Sequence, residues 1–148
     1  MNTSELFRNK AFWFIDFLKG SPLRKNYEDV KFILENFNSD ESIRKRIDYL
    51  NLLLNHAVNT TSYYTDYKNF KSILDFPVID KSTIRQNSSE FLSAKYKNKK
   101  IYSSITSGST GTPFKIFQDN NKKIRNTADV IYFGELAKHT IGKKLIYL

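Results

Sequence analysis

The amino-acid sequence predicts an α/β chain: a mainly helical N-terminal region, residues 1–92, followed by the start of an α/β subdomain, residues 93–148. Three observations predict it. Apolar residues recur at helical spacing through most of the first region. Two short β-branched and aromatic segments, Ile101-Tyr102-Ser103-Ser104-Ile105 and Phe114-Lys115-Ile116-Phe117, bracket a run rich in Ser, Thr and Gly. After Asp119, the spacing of Ile124, Ala128, Ile131 and Leu136 is again that of a helix.

Taken in order, Leu6 or Phe7, Ala11, Phe14 and Leu18 mark the inner stripe of a first helix, which Gly20 and Pro22 should end. A second helix is expected from Tyr27 to Phe37, with Val30, Ile33 and Leu34 inward. A third starts near Ser39 or Asp40 and carries Ile43, Ile47, Leu50, Leu54 and Ala57 on one face, until Asn59-Thr60-Thr61-Ser62 breaks it. An aromatic link with Tyr63, Tyr64, Tyr67 and Phe70 follows. Asp80 is placed to cap a helix from Lys81 to about Leu92, and Lys95-Tyr96-Lys97-Asn98-Lys99-Lys100 reads as a solvated connection. Beyond the two strands, Asp119 is a candidate cap for the last helix and Gly142 its expected end. Lys144-Leu145-Ile146-Tyr147-Leu148 then reads as another strand just beginning, so the chain is expected to be the front piece of a larger domain.

Composition narrows the chemistry. With no cysteine, neither disulfides nor thiolate metal sites are available, and His56 and His139 cannot by themselves form a histidine-only metal centre. The plain reading is a cytoplasmic protein. Arg8 and Lys10 before Ala11-Phe12-Trp13-Phe14-Ile15 faintly suggest a leader, but Asp16 interrupts the run and no small-x-small cleavage site follows. The net charge of +9 is unevenly placed: residues 81–148 hold thirteen basic and four acidic residues, whereas acids and bases balance before them. The excess therefore surrounds the Ser/Thr/Gly run, where it would attract a polyanion.

That run, Thr106-Ser107-Gly108-Ser109-Thr110-Gly111-Thr112-Pro113, has the makings of a phosphate loop. Glycines let main-chain N–H groups close on an anion, and consecutive N–H groups form an anion-binding nest. The hydroxyls add donors, each worth about 1.5–3 kcal/mol against a charged oxygen. No Gly-Lys-Ser/Thr follows at Walker spacing, and the glycine spacing is not that of a dinucleotide fingerprint. On residues alone, a polar hairpin turn remains the competing reading.

The run resembles the phosphate loop of the adenylate-forming superfamily, Thr-Ser-Gly-Ser/Thr-Thr-Gly-x-Pro, at every fixed position. Pro77-Val78-Ile79-Asp80-Lys81-Ser82-Thr83-Ile84-Arg85 is similar to the Pro-x-x-x-Lys-x-x-Ile-Arg segment before that loop in the phenylacetate–CoA ligase-like branch. Leu54-Asn55-His56-Ala57 followed by Ser62-Tyr63-Tyr64 resembles that branch's helix end and tyrosine pair. The segment from Phe114 to Asp119, with Ile141-Gly142-Lys143-Lys144, looks most like its capsular-polysaccharide-biosynthesis subgroup.

The resemblance implies the N-terminal portion of an adenylating-enzyme large domain and an ATP-dependent ligase. In such enzymes a carboxylate attacks the α-phosphate, pyrophosphate leaves, and the acyl-adenylate passes to coenzyme A or another nucleophile. Thr106, Ser107, Gly108, Ser109, Thr110, Gly111 and Thr112 would hold the β,γ-phosphates of ATP and stabilise their developing charge. Many relatives carry a lysine directly after the proline; here Phe114 stands there, and Lys115, next along, points to the opposite face of a strand, toward nucleotide or solvent. The adenine and ribose contacts, the acidic Mg²⁺ ligand and the catalytic lysine of such enzymes lie downstream, so no catalytic or metal residue is assigned, and the fragment alone is expected to be inactive.

Other residues carry plainer expectations. Lys81 and Arg85 form a solvated helix face, His56 is a partly buried structural histidine, and His139 belongs to a helix end. Tyr63 and Tyr64 pack. Two rival functions stay open: a small basic protein binding nucleic acid through residues 81–148, and a non-catalytic half of a split ligase completed by a second polypeptide.

Overall fold

The structure, a computed structural model, describes residues 2–106 and 113–144 and is mainly helical with one two-stranded antiparallel sheet. By contact the chain groups into two units, residues 1–42 with 121–148, and residues 43–120. The expected strand over residues 144–148 falls, beyond Lys144, outside the described residues.

The first unit begins with α1 (Thr3–Leu18), closed at its start by a capping box. The Asn2 side chain accepts from the Glu5 N–H at 2.9 Å, and the Glu5 carboxylate accepts from the Asn2 N–H at 2.8 Å. The inner face of α1 is not the expected one. Phe7, Phe14 and Leu18 face solvent, while Phe12 and Trp13 pack on the core and Asp16 is buried. The reason is that residues 11–18 are apolar on nearly every side, so periodicity alone cannot choose between faces. What chooses is Asp16. Its carboxylate accepts the N–H groups of Leu23 at 3.0 Å and Arg24 at 2.9 Å, two of the unpaired donors at the start of α2 (Pro22–Glu35).

Pro22 therefore opens α2 rather than merely closing α1, as its fixed φ and missing N–H favour at a first helical turn. Ser21 before it is left-handed and makes no side-chain cap, so Asp16 serves that role from the preceding helix. Val30 and Ile33 are buried as the pattern of α2 predicts, Leu34 lies exposed, and Tyr27, expected only as the helix start, is buried with them. Tyr27, Val30, Ala128, Ile131 and Tyr132 make the core, with Leu23 and Ile141 packed against it.

α5 (Asn120–Leu136) supplies the far side of that core through Ala128 and Ile131, as expected, and also Tyr132. Leu136 is exposed, and the helix ends there, ahead of Gly142. Gly142 instead gives a close backbone approach: with φ +101° it lies against α1, where a Cβ would collide with the Glu5 carbonyl and press on Asn9. Arg8 Nε donates to the Gly142 carbonyl at 2.8 Å and Asn9 Nδ2 to that of Ile141 at 2.9 Å. Two polar links cross the same unit. Arg125 pairs with Asp29 at 2.5 Å, and the Tyr27 hydroxyl donates to the Glu135 carboxylate at 2.5 Å. Arg24 stacks over the Trp13 ring at 4.1 Å.

α3 (Asp40–Thr60) starts where Ser39 accepts from the Ser42 N–H at 3.2 Å and ends within the predicted breaker. Ile43 and Ile47 are exposed, whereas Leu54 and Val58 are buried. In the second unit, α4 (Lys81–Gln86) begins at Asp80 as expected but is only about half the expected length. Asn87 stops it, its side-chain amide and its own N–H both bonding the Thr83 carbonyl, and Ser88-Ser89 beyond are weak helix formers. β1 (Tyr102–Thr106) and β2 (Phe114–Gln118) pair antiparallel in the register Thr106↔Phe114 through Tyr102↔Gln118, close to the predicted bounds. Among the described residues, no helix is long and apolar enough to cross a membrane.

Two outcomes follow from the first unit. Asp16→Ala strips both accepted N–H bonds from the start of α2 and should cost about 2 kcal/mol in urea unfolding, with Asp16→Asn restoring part of it. Burial first, then the hydrogen bond to Glu135, pushes the Tyr27 phenol from its usual 10.0 up to about 12. A raised folded value favours the neutral phenol, so this stabilisation is complete below pH 10 and drains away as pH rises toward 12. The unfolding midpoint of Tyr27→Phe should lack that part of the alkaline decline, read as the difference between the two proteins across the range.

Candidate functional site

The hairpin fixes both ends of the Ser/Thr/Gly run. Thr106 closes β1, Phe114 opens β2, and the two are register partners. The Thr106 hydroxyl accepts from the Phe114 N–H at 3.3 Å, which ties the ends together beneath the connection. Ser107, Gly108, Ser109, Thr110, Gly111 and Thr112 lie outside the described residues, so of the expected phosphate-binding set only Thr106 and Lys115 have a described position.

Phe114 is the buried residue of the two strands; the rest of β2 up to Phe117 is exposed. Above its ring stand two cations of α4, the Lys81 ammonium and the Arg85 guanidinium, each 5.9 Å from the centroid. One turn of helix separates them, which brings both to the same ring. The expectation of a merely solvated face is incomplete: these side chains are exposed, and they also converge on the residue that follows Pro113. The Lys-x-x-Ile-Arg spacing holds the signal, but nothing in the sequence alone connects α4 to β2 in space.

Asp80 makes that convergence possible by starting α4. Its carboxylate accepts from the Thr83 N–H and the Thr83 hydroxyl, both at 2.7 Å. Those bonds hold its carboxyl below the ordinary range. Lys115, by contrast, pairs with Ile105 and sits over the Phe117 ring at 5.1 Å, on the strand face opposite Phe114. Lys81 and Arg85 thus occupy one side of the hairpin and Lys115 the other.

Beside β2 lies a mostly apolar pocket of about 280 Å³, bounded by Ile84, Phe91, Ile101, Ile116 and Phe117. Its polar edge is a hydrogen bond of 2.8 Å from the Tyr96 hydroxyl to the Asp119 carboxylate. That bond, with burial behind it, raises the Tyr96 phenol above its usual value. Asp119 thus has a described partner in Tyr96 that the sequence does not suggest.

The remaining candidates resolve into packing. Tyr63 stacks on Phe91 with centroids 4.1 Å apart, and Tyr64 meets Tyr67, Phe76 and Phe91 edge-on. His56 is half-buried, within 3.2 Å of the Thr60 hydroxyl and edge-on to Tyr96. His139 follows the last turn of α5, its N–H bonded to the Gly134 carbonyl at 2.8 Å. Among the described residues, no group of three His, Asp or Glu side chains comes together as a metal site. Compared with protein-family models, with curated proteins and with solved structures, the chain matches none.

Phe114 carries the hairpin's attachment, and its removal tests that directly. Phe114→Ala should destabilise the protein by roughly 3 kcal/mol and lower the hydrogen-exchange protection of the β1–β2 amides more than that of α3. Phe114→Leu should lose much less.

Proposed function

We propose that the chain carries the ATP-phosphate loop of an adenylate-forming, coenzyme A ligase-like enzyme and forms the N-terminal portion of its large domain. The observation that carries the reading is the unbroken match of Thr106-Ser107-Gly108-Ser109-Thr110-Gly111-Thr112-Pro113 to the superfamily loop. Its setting supports that reading. The run joins two antiparallel strands whose facing ends are Thr106 and Phe114, and Lys81 and Arg85 converge on the first residue after it. A hydroxyl-bearing loop with two cations at its exit is suited to a polyphosphate.

In this reading the loop N–H groups and hydroxyls grip the β,γ-phosphates, and their donors lower the cost of the charge that builds on departing pyrophosphate. Lys81 and Arg85 add positive potential on the same side. Bound ATP supplies the electrophilic α-phosphate that a carboxylate substrate attacks, and coenzyme A is the acceptor by resemblance. By itself the chain binds ATP without turning it over.

The test is equilibrium titration of the 148-residue protein with ATP. Gly108→Val combined with Thr110→Ala should weaken ATP binding by at least about tenfold, the loss of one or two charge-assisted hydrogen bonds. Lys81→Ala should weaken it severalfold while leaving the circular dichroism spectrum unchanged. Equal ATP affinity in the loop variant would overturn the reading. So would tight, salt-sensitive binding of DNA or RNA that ATP does not displace.

A further inference from the structure

α1 turns its acids away from its apolar face and leaves its bases exposed. Leu6, Phe7, Phe14, Ile15, Phe17 and Leu18 are all exposed, Phe7 at 74% and Phe17 at 67%. At about 100° per residue they share one half of the helix circumference. Scattered apolar residues on a surface are ordinary, but six large ones on a single helix face form a patch that needs an occupant.

Charge identifies the occupant. The two acids of α1 are turned away from this face, Glu5 into the capping box with Asn2 and Asp16 into the buried turn before α2. The exposed charged side chains along the helix and at its C-cap are Arg8, Lys10 and Lys19, with Lys10 amid the apolar face. Lys143 and Lys144 follow Gly142, which lies against the first half of the same helix. The exposed acids of the first unit's neighbouring helix, Glu28 and Glu35, belong to α2. An apolar helix face carrying Phe side chains and edged by cations alone matches the boundary of an anionic bilayer, where rings enter the acyl region and ammonium groups meet headgroup phosphates. A second copy of the chain would set Lys10 and its neighbours against their own kind.

We propose that α1 is an interfacial helix that docks the protein on an anionic lipid surface, lying on the bilayer rather than crossing it. This is independent of the ATP reading, since none of these residues belongs to the loop.

Co-sedimentation with vesicles tests it, using the full 148-residue protein. Binding is expected to vesicles of phosphatidylcholine with phosphatidylserine, to weaken with added salt, and to be slight on phosphatidylcholine alone. The variant Phe7→Ser, Phe14→Ser, Phe17→Ser should lose about tenfold or more in affinity. Because these side chains already face water, its unfolding midpoint should hold. Lys10→Glu with Lys19→Glu, which leaves every apolar residue in place, should lose severalfold and provides the check should the first variant fold poorly. Failure of the wild-type protein to bind either vesicle would overturn the proposal. So would undiminished binding by both variants, or a concentration-dependent dimer abolished by the Phe substitutions in a protein that ignores vesicles.

Discussion

Burial of the Phe114 ring is the constraint on which the hairpin depends. A two-stranded ribbon is marginal in water because it buries too little surface to offset the entropy of ordering its backbone. β1 runs exposed from Ser103 to Thr106, and β2 from Lys115 to Phe117, so Phe114 is the one residue of the pair that is buried. Everything proposed for the phosphate loop inherits its geometry from that contact. The ring sets where β2 starts, the register then sets Thr106 opposite it, and the connecting residues must span from one to the other. The same ring meets Lys81 and Arg85, so the group that anchors the hairpin also gathers the positive charge at the end where the Ser/Thr/Gly run joins the strands.

The first unit is organised by polar contacts as much as by its core. Asp16, on α1, satisfies the start of α2; Tyr27, on α2, reaches Glu135 on α5; Asp29 reaches Arg125. Each link fixes one helix against another at a definite turn, which a set of interchangeable apolar contacts would not do by itself. Gly142 adds a close backbone approach to α1 that any side chain would prevent. The core is small, and these specific links decide its arrangement.

The sequence discloses helices and strands better than it discloses faces. Apolar spacing places α2, α3 and α5, and β-branched content places β1 and β2, because each signal depends on local geometry alone. Spacing misleads at α1, where apolar residues on all sides leave the choice of face to a buried aspartate that pattern reading treats as a break. Pro22 looks like a terminator in the sequence, although the same fixed φ makes it a starter. Periodicity extends α4 too far because Asn87 competes for the Thr83 carbonyl, a contact that apolar spacing does not encode. For the candidate site, the loop is legible as composition and Asp80 as a cap. The meeting of Lys81 and Arg85 with Phe114 is not, since it joins residues about thirty positions apart through tertiary packing.

In the readings proposed above, the surface charge takes two separable roles rather than one. The sequence-level excess over residues 81–148 suggests a single basic field, and part of it stands where that field would serve a polyphosphate, at Lys81 and Arg85. Bases on α1 lie in the balanced portion of the sequence and gain their importance from folding alone, because Asp16 is buried and Glu5 is turned to the capping box while Arg8, Lys10 and Lys19 are exposed. Net charge by segment misses this, since it counts a buried, hydrogen-bonded carboxylate the same as an exposed one. The electrostatic character of a surface depends on which charges the fold leaves facing water. Along the apolar face of α1, the fold leaves only the positive ones.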